Sequence, residues 1–522
     1  MKNRIQSWIT TVSLSRPTLG DNTADADRLI IKLKKQLRTN QIDIDLLLLK
    51  KLPDILRSCN YSVNCILFKN YEHWILTGIT SPNDPSLITG MAVDLGTTRV
   101  VIRLIDLVSG DFLFESSFDN PQIPIGPDIL TRIHYADTLQ GLKDLNHLII
   151  RKLNKEISAI CQSCKIRAEN IYLMAVAGNT AMTHLFMGIK PNFMIREPYI
   201  PVVNTPDTME TEKLGIHINS SGRAFVFPNV GSYFGGDLIA GILYSQIYQK
   251  EETAILVDVG TNAEVVIGNN NWLIACAGAA GPALESGVAE MGMMAAPGAI
   301  DKVTIDPETL TVTTHTIDNA PPIGICGSGV IDLAAQLFLS GVVDIRGKLN
   351  PSIAGSHVKK TDNGLVFIVT PAIESGTQTD LIINQADLDS LSRSKAAMYT
   401  ILETISASVG INLSELATFY VAGTFGSFIN PRSAISIGML PDLPLEKYVA
   451  LGNSSLGGAS MLLSDRSAMD EILKIKDRIT YMELNVNQDF MNRFSAAKFF
   501  PHTDPSLFPS VKIHPRNQAK PV

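Results

Sequence analysis

The sequence predicts an α/β protein built from several domains, on three observations. Its 522 residues exceed what one hydrophobic core organises, and at roughly 150 residues per domain they suggest about three units. From about residue 88 to 465, strand-like apolar runs alternate with helical patterns, the texture of α/β domains. The strand, acidic residue, Gly and Thr of VDLGTT at 93 to 98 return as VDVGTN at 257 to 262.

Residues 1 to about 20 carry few apolar positions and end in Pro17 and Gly20, so an extended arm is expected there. Asp25 is expected to cap a helix, because ADADRLIIKLKKQL sets Leu29, Ile30, Leu33 and Leu37 at helical spacing with cations toward the end. Residues 41 to about 79 read as a small mixed module, and SPNDPSL at 81 to 87, with two prolines among turn formers, is the clearest boundary. Beyond it MAVDLG is a strand entering a turn, and VVIRLIDLVSGDFLFES reads as a hairpin. IYLMAVAGN and AILVDVGTN read as buried strands ending in small residues.

Composition narrows the function. An apolar fraction of 45% and a charged fraction of 18% belong to a globular protein with cores to bury. A net charge of −7 offers no basic field for phosphate backbones or anionic lipid, so neither nucleic acid nor membrane is an expected partner. The start, MKNRIQSWITTVSLSRP, lacks the apolar stretch and cleavage site of a signal peptide, and no run reaches the length of a membrane span. Six scattered cysteines do not make a disulfide framework. A soluble, cytoplasmic protein is expected.

The repeated loop carries chemistry. A strand ending in Asp-x-Gly-Thr supplies a glycine that lets backbone approach a polyphosphate, turn N–H groups that face its oxygens, and hydroxyls that donate further bonds. The aspartate orients Mg²⁺ through coordinated waters. One such loop is also ordinary turn chemistry; two of them, at Asp94 and Asp258, resemble the first and second phosphate motifs of the actin, hexokinase and heat-shock ATPase superfamily. PNVGSYFGGDLIAGILYS at 228 to 245 resembles that superfamily's helix joining the lobes. FYVAGTFGSF at 419 to 428 resembles its adenosine-packing turn, and GNSSLGGASML at 452 to 462 its second connecting helix, where small residues allow close contact.

The resemblance implies a two-lobed actin-like ATPase fold of duplicated ribonuclease H-like lobes. The expected organisation is an arm and linker helix at 1–38, a small middle domain at 39–87, lobes at 88–245 and 246–465, and a C-terminal extension at 466–522. It also implies that ATP and Mg²⁺ sit between the lobes on Gly96, Thr97, Thr98, Gly260, Thr261, Asn262, Gly327 and Ser328, with Gly423 and Gly426 against the adenosine. Asp94 and Asp258 would hold Mg²⁺ through water. Asp237 and Glu264 are water-orienting candidates, weighed against plain loop hydrogen bonding.

A narrower resemblance spans about residues 11 to 505. NPQ at 120 to 122, GNTAMTHLFMGI at 178 to 189, GPALE at 281 to 285, GMMAAPGAI at 292 to 300, GICGSGVID at 324 to 332 and ITYMELNVNQDFMNRF at 479 to 494 are similar to the ATP-dependent reductive activators of corrinoid proteins. RPTLGDNTADADRL resembles that family's linker. Those proteins restore a methyltransferase corrinoid after cobalt(I) has oxidised to cobalt(II). Members carry an iron–sulfur domain, whereas here the linker resemblance begins about ten residues from the start and no cysteine follows 505. No iron–sulfur cluster is therefore expected, and a separate ferredoxin is the expected electron donor.

The cysteines offer two weaker alternatives. Cys161 and Cys164 have ligand spacing but lie in an amphipathic helical pattern, and Cys59 and Cys65 are further apart still. Cys276 and Cys326 sit in family blocks, and related dehydratase activators bridge a dimer with a four-iron cluster. His184 reads as a packing residue, and Lys395 either as a family lysine or as part of a solvated helix face. The partner-facing segment is placed at 281 to 298, around Glu290 and Met291.

The expected function is ATP-dependent activation of a corrinoid protein by a homodimer, supporting cobalt(II) to cobalt(I) reduction. A non-redox partner-remodelling ATPase and a small-molecule kinase of the same superfamily remain alternatives.

Overall fold

The computed structural model describes residues 6–70, 73–260, 263–278, 289–354, 357–361, 364–484 and 489–515. It divides into two compact units, one of Met1–Tyr244 with Ser454–Arg478, the other of Ser245–Asn453 with Ile479–Val522. Among the described residues no helix is long and apolar enough to cross a membrane.

The first unit opens with a four-stranded sheet in the order Ile9–Ser13, Ser62–Asn70, His73–Thr80, Ile42–Ile44. The arm is thus paired along Ile9–Ser13 rather than loose, and Trp8 is fully buried with its indole N–H donating to Leu462 O at 2.8 Å. Helix Asp25–Leu37 buries Leu29 and Leu33 and carries Asp25 and Asp27 in its first turn against Lys34 and Lys35 in its last, which suits the helix dipole. Asp25 does not cap it: the cap position is Ala24, and the Asp25 carboxylate instead pairs with Arg57 at 2.8 Å.

The second sheet of this unit has six strands, in the order Phe112–Asp119, Arg99–Asp106, Thr89–Leu95, Ile171–Ala177, Arg223–Val226, Met209–Glu210. Thr89–Leu95 runs antiparallel to Arg99–Asp106, which in turn pairs antiparallel with Phe112–Asp119. On its other side it is parallel to Ile171–Ala177, which is parallel to Arg223–Val226. All seven residues of Ile171–Ala177 are buried, as a continuous apolar run covered on both faces demands.

The second unit repeats this arrangement. Ala254–Val259 is antiparallel to Ala263–Gly268, itself antiparallel to Leu273–Gly278, and on its other side parallel to Thr418–Ala422 and then Tyr448–Gly452. Each unit therefore has a central strand flanked by an antiparallel hairpin run on one side and parallel strands on the other. Asp94 and Asp258 occupy the same penultimate place on those central strands. The echo in the sequence is a duplication in the fold.

In the second unit the long helix Gln385–Ser408 begins in a capping box between Asn384 and Asp387. Lys395 on this helix is fully buried, which excludes a solvated face. Its ammonium donates to the carbonyls of Phe499 and, at 2.7 Å, Pro501, and lies 5.3 Å from the Phe500 ring centroid. The lysine thereby ties the C-terminal tail to the helix. Burial holds its ammonium well below the ordinary value of 10.5. The unfolded chain then binds that proton more tightly, so stability should rise as pH climbs toward 10.5. Lys395→Met should flatten this slope, measured by denaturant unfolding across that pH range.

Candidate functional site

In the first unit the loop after Thr89–Leu95 is built around Gly96, where a Cβ would collide with the Arg99 carbonyl oxygen, so only glycine fits. Asp94, half-buried, accepts a hydrogen bond from Ser455 Oγ at 2.8 Å. Thr97 is half-buried and Thr98 exposed, and Thr97 Oγ1 accepts from Asn179 Nδ2 at 3.0 Å. Asn179 in turn caps helix Thr180–Met187 by accepting from Met182 N at 2.9 Å.

Asp237 lies beside this loop. It stands in the first turn of helix Gly236–Ser245, its N–H donates to Gly178 O at 3.3 Å, and its Oδ1 accepts from Leu238 N at 2.9 Å. A Cβ on Gly235 would lie 2.5 Å from Asn179 Cα and 2.6 Å from Asp237 Oδ1, so the glycine lets the two segments touch. The structure brings together Asp94, Gly96, Thr97, Asn179 and Asp237.

Helix Ser454–Ser464, which carries Ser455, crosses helix Gly236–Ser245 through glycines. A Cβ on Gly458 would collide with the Ala240 backbone, and one on Gly457 would strike the Tyr244 ring at 2.6 Å. Here the expected close contact through small residues is found.

The second unit carries a strand-end carboxylate of its own. Asp258 is half-buried and directly opposite Glu264 in the antiparallel register. Gly423, at φ 80, follows the parallel strand Thr418–Ala422, and a Cβ there would stand 2.8 Å from Asp258 Oδ1 and 3.1 Å from Val259 O. Gly426 is pressed against Val421 in the same way, at 2.6 Å from its Cγ1. Asp258, Glu264, Gly260 and the Gly423 turn thus form one cluster at the end of the central strand. Gly327 and Ser328 open helix Gly327–Leu339, which packs on strand Ala299–Ile305 and touches helix Gly423–Phe428. Thr261 and Asn262 lie outside the described residues, as do 281–288 of the expected partner segment. In the rest of that segment Met291 and Met293 are fastened by backbone bonds to Ile325, whereas Glu290 and Met294 are exposed.

The other candidates are accounted for by packing. His184 is fully buried, with Nδ1 2.7 Å from Thr180 O, and burial lowers its proton affinity. Cys161 and Cys164 end the amphipathic helix Leu139–Cys164. Cys65 and Cys276 are buried in sheets, where desolvation pushes the Cys65 thiol up to about 12 and the Cys276 thiol higher. Among the described residues no three His, Cys, Asp or Glu side chains gather as a metal-binding group.

Sequence reasoning did not single out Ser455, Asn179, or the pair Asn120 and Arg132 behind the first loop. Asn120 and Asn179 stand in short polar blocks next to proline or glycine, a signal for turn-building side chains. Arg132, a lone cation in ILTRIHY, gave none.

Within each unit taken by itself, a carboxylate at a strand end beside a glycine that a Cβ would obstruct suits a metal–phosphate ligand, since backbone can approach a phosphate and a carboxylate can orient metal-bound water.

Comparison with known proteins bears on this geometry. The chain matches the family models described as the RACo linker region over 6–84, the RACo middle region over 89–250, and the C-terminal domain of RACo, the ASKHA domain, over 252–512. It is 30% identical over 486 residues to the corrinoid activation enzyme RamQ of Eubacterium limosum, covering 89% of this chain and 81% of that one. It is 25% identical over 434 residues to a Co(II) methylated amine-specific corrinoid protein reductase of Methanosarcina barkeri, covering 77% and 75%. A solved structure of a reductive activator for corrinoid, iron-sulfur protein is 37% identical with a TM-score of 0.86, over 98% of this chain and 82% of that chain.

Proposed function

The chain belongs to the RACo family, carrying its linker, middle and ASKHA regions in order, and from that premise we propose that it is an ATP-dependent activator of a corrinoid protein. The observation that carries the reading is the duplicated strand-end carboxylate, Asp94 and Asp258, in a chain whose relatives are named for corrinoid activation. The ASKHA domain implies nucleotide binding. Mg-ATP, when bound, supplies the free energy. Gly96, Thr97, Thr98, Gly260, Thr261 and Asn262 would hold its phosphates, with Gly423 and Gly426 toward the adenosine. Asp94 and Asp258 would hold magnesium-bound water, and Asp237 and Glu264 would orient the attacking water.

The work done is electrochemical. Cobalt(I) prefers fewer axial ligands than cobalt(II), so an activator that captures the cobalt(II) protein with an axial ligand removed raises the potential. Each tenfold of differential binding is worth about 59 mV for one electron. The electron would come from a separate ferredoxin.

Anaerobic mixing of the protein with a cobalt(II) corrinoid protein, ATP and reduced ferredoxin tests this. The expected outcome is the cobalt(I) spectrum only when all four are present. ATP-dependent binding without reduction would make the chain a partner-remodelling ATPase instead.

A further inference from the structure

The first phosphate loop rests on three hydrogen bonds, two from side chains and one from backbone, that nothing so far explains. Asn120 Nδ2 donates to Gly96 O at 2.8 Å, Arg132 Nη2 to Thr97 O at 2.8 Å, and Asn120 N to Thr98 O at 2.8 Å. Three successive carbonyls of the loop are therefore turned inward. Because each peptide is planar and trans, the N–H groups of Thr97 and Thr98, which follow the first two carbonyls, point the opposite way. That is the arrangement an anion needs.

Arg132 is fully buried, yet its partners are all neutral. Nε donates to Gly126 O at 2.7 Å, and Nη1 faces Gln122 Oε1 at 3.2 Å and Met182 Sδ at 3.2 Å. Gln122, also fully buried, is fixed by donating to Leu145 O at 2.9 Å and by its own N–H on Asn120 Oδ1 at 3.0 Å. Among the described residues no ion pair reaches Arg132. Asp128, whose field does act on it, is exposed and spent on capping helix Ile129–Tyr135 through Thr131 N at 2.9 Å and Thr131 Oγ1 at 2.7 Å. Desolvation lowers the guanidinium only to about 10, so it stays charged at neutral pH. A buried cation without a contacting anion is costly unless a negative charge arrives.

Resting on the nucleotide reading above, we propose that Arg132 is a positioning residue for ATP: through Thr97 it fixes the loop, and its uncompensated charge behind the loop favours the polyphosphate in front. Asn120 and Gln122 hold both in register. No atom of Arg132 need touch the nucleotide.

Titration calorimetry with ATP, ADP and AMP on the full chain, in wild type, Arg132→Gln and Gln122→Glu, tests the idea. Gln122→Glu keeps the side chain's size and sets a carboxylate against the guanidinium, neutralising it in place at the loss of the Nε2 bond to Leu145 O, and the melting transition of each variant without nucleotide shows that it is folded before its affinities are compared. Both variants should lose about thirtyfold in ATP affinity and progressively less for ADP and AMP, since the charge term grows with the number of phosphate charges. Folded variants that bind ATP within twofold of wild type, or lose all three nucleotides equally, would overturn it, the second result leaving only a structural role. Wild type that binds no ATP would bring down the nucleotide reading and this inference with it.

Discussion

Asp258→Ala is expected to lower Mg²⁺-dependent ATP turnover by at least about a hundredfold, the scale on which a single preorganised charge contributes to catalysis. The carboxylate is half-buried at the strand end, against the Gly423 turn and opposite Glu264, so removing it takes no volume from the core. Circular dichroism should therefore be unchanged while hydrolysis disappears, and Asp258→Asn, which keeps the shape, should fail as badly. Wild-type turnover in either variant, together with full-strength Mg-ATP binding, would remove Asp258 from the site.

The second large effect is structural. In Gly458→Val the new Cβ would stand 2.5 Å from the Ala240 carbonyl carbon and 2.6 Å from its Cα, atoms of backbone that cannot rotate away. Helix Ser454–Ser464 must then lift off helix Gly236–Ser245, and Ser455 moves with it away from Asp94. Overpacking of this kind costs about 3 kcal/mol, a fall of roughly 5–10 °C in melting temperature for a unit of this size. Gly20→Ala, at a position with nothing within 4 Å, is the control that should melt with wild type. Scanning calorimetry of the three proteins decides the matter, and an unshifted transition in Gly458→Val would contradict the packing described.

Much of this was legible in the sequence because it is local. A carboxylate one residue from a strand end, followed by glycine, can be read from six letters, and its return at 257 to 262 foretold the second sheet. What stayed hidden depends on pairs far apart. Ser455 meets Asp94 across 361 positions, and no property of a serine in a glycine-rich helix announces it. Lys395 was read beside its helical neighbours, whereas the carbonyls that bury it arrive 104 and 106 residues later. Arg132 lies in a seven-residue helix with too little periodicity to show which side faces in. Asp25 was misread by a single position, since it pairs with Arg57 from the first turn instead of capping it.

The discontinuity of the first unit bears on how the protein is made. Trp8 needs Leu462, Gly90 packs on the side chain of Leu463, and Asp94 is bonded to Ser455, so the N-terminal sheets await a helix that follows more than two hundred intervening residues. At synthesis rates of about 5–20 residues per second, that wait lasts on the order of ten seconds or more on the ribosome. Through it, the apolar faces destined for helix Ser454–Ser464 stand uncovered, while the second unit, nearly continuous from Ser245 to Asn453, emerges in one stretch. Shortening the chain before residue 454 should therefore leave the first unit aggregation-prone however intact its own sequence.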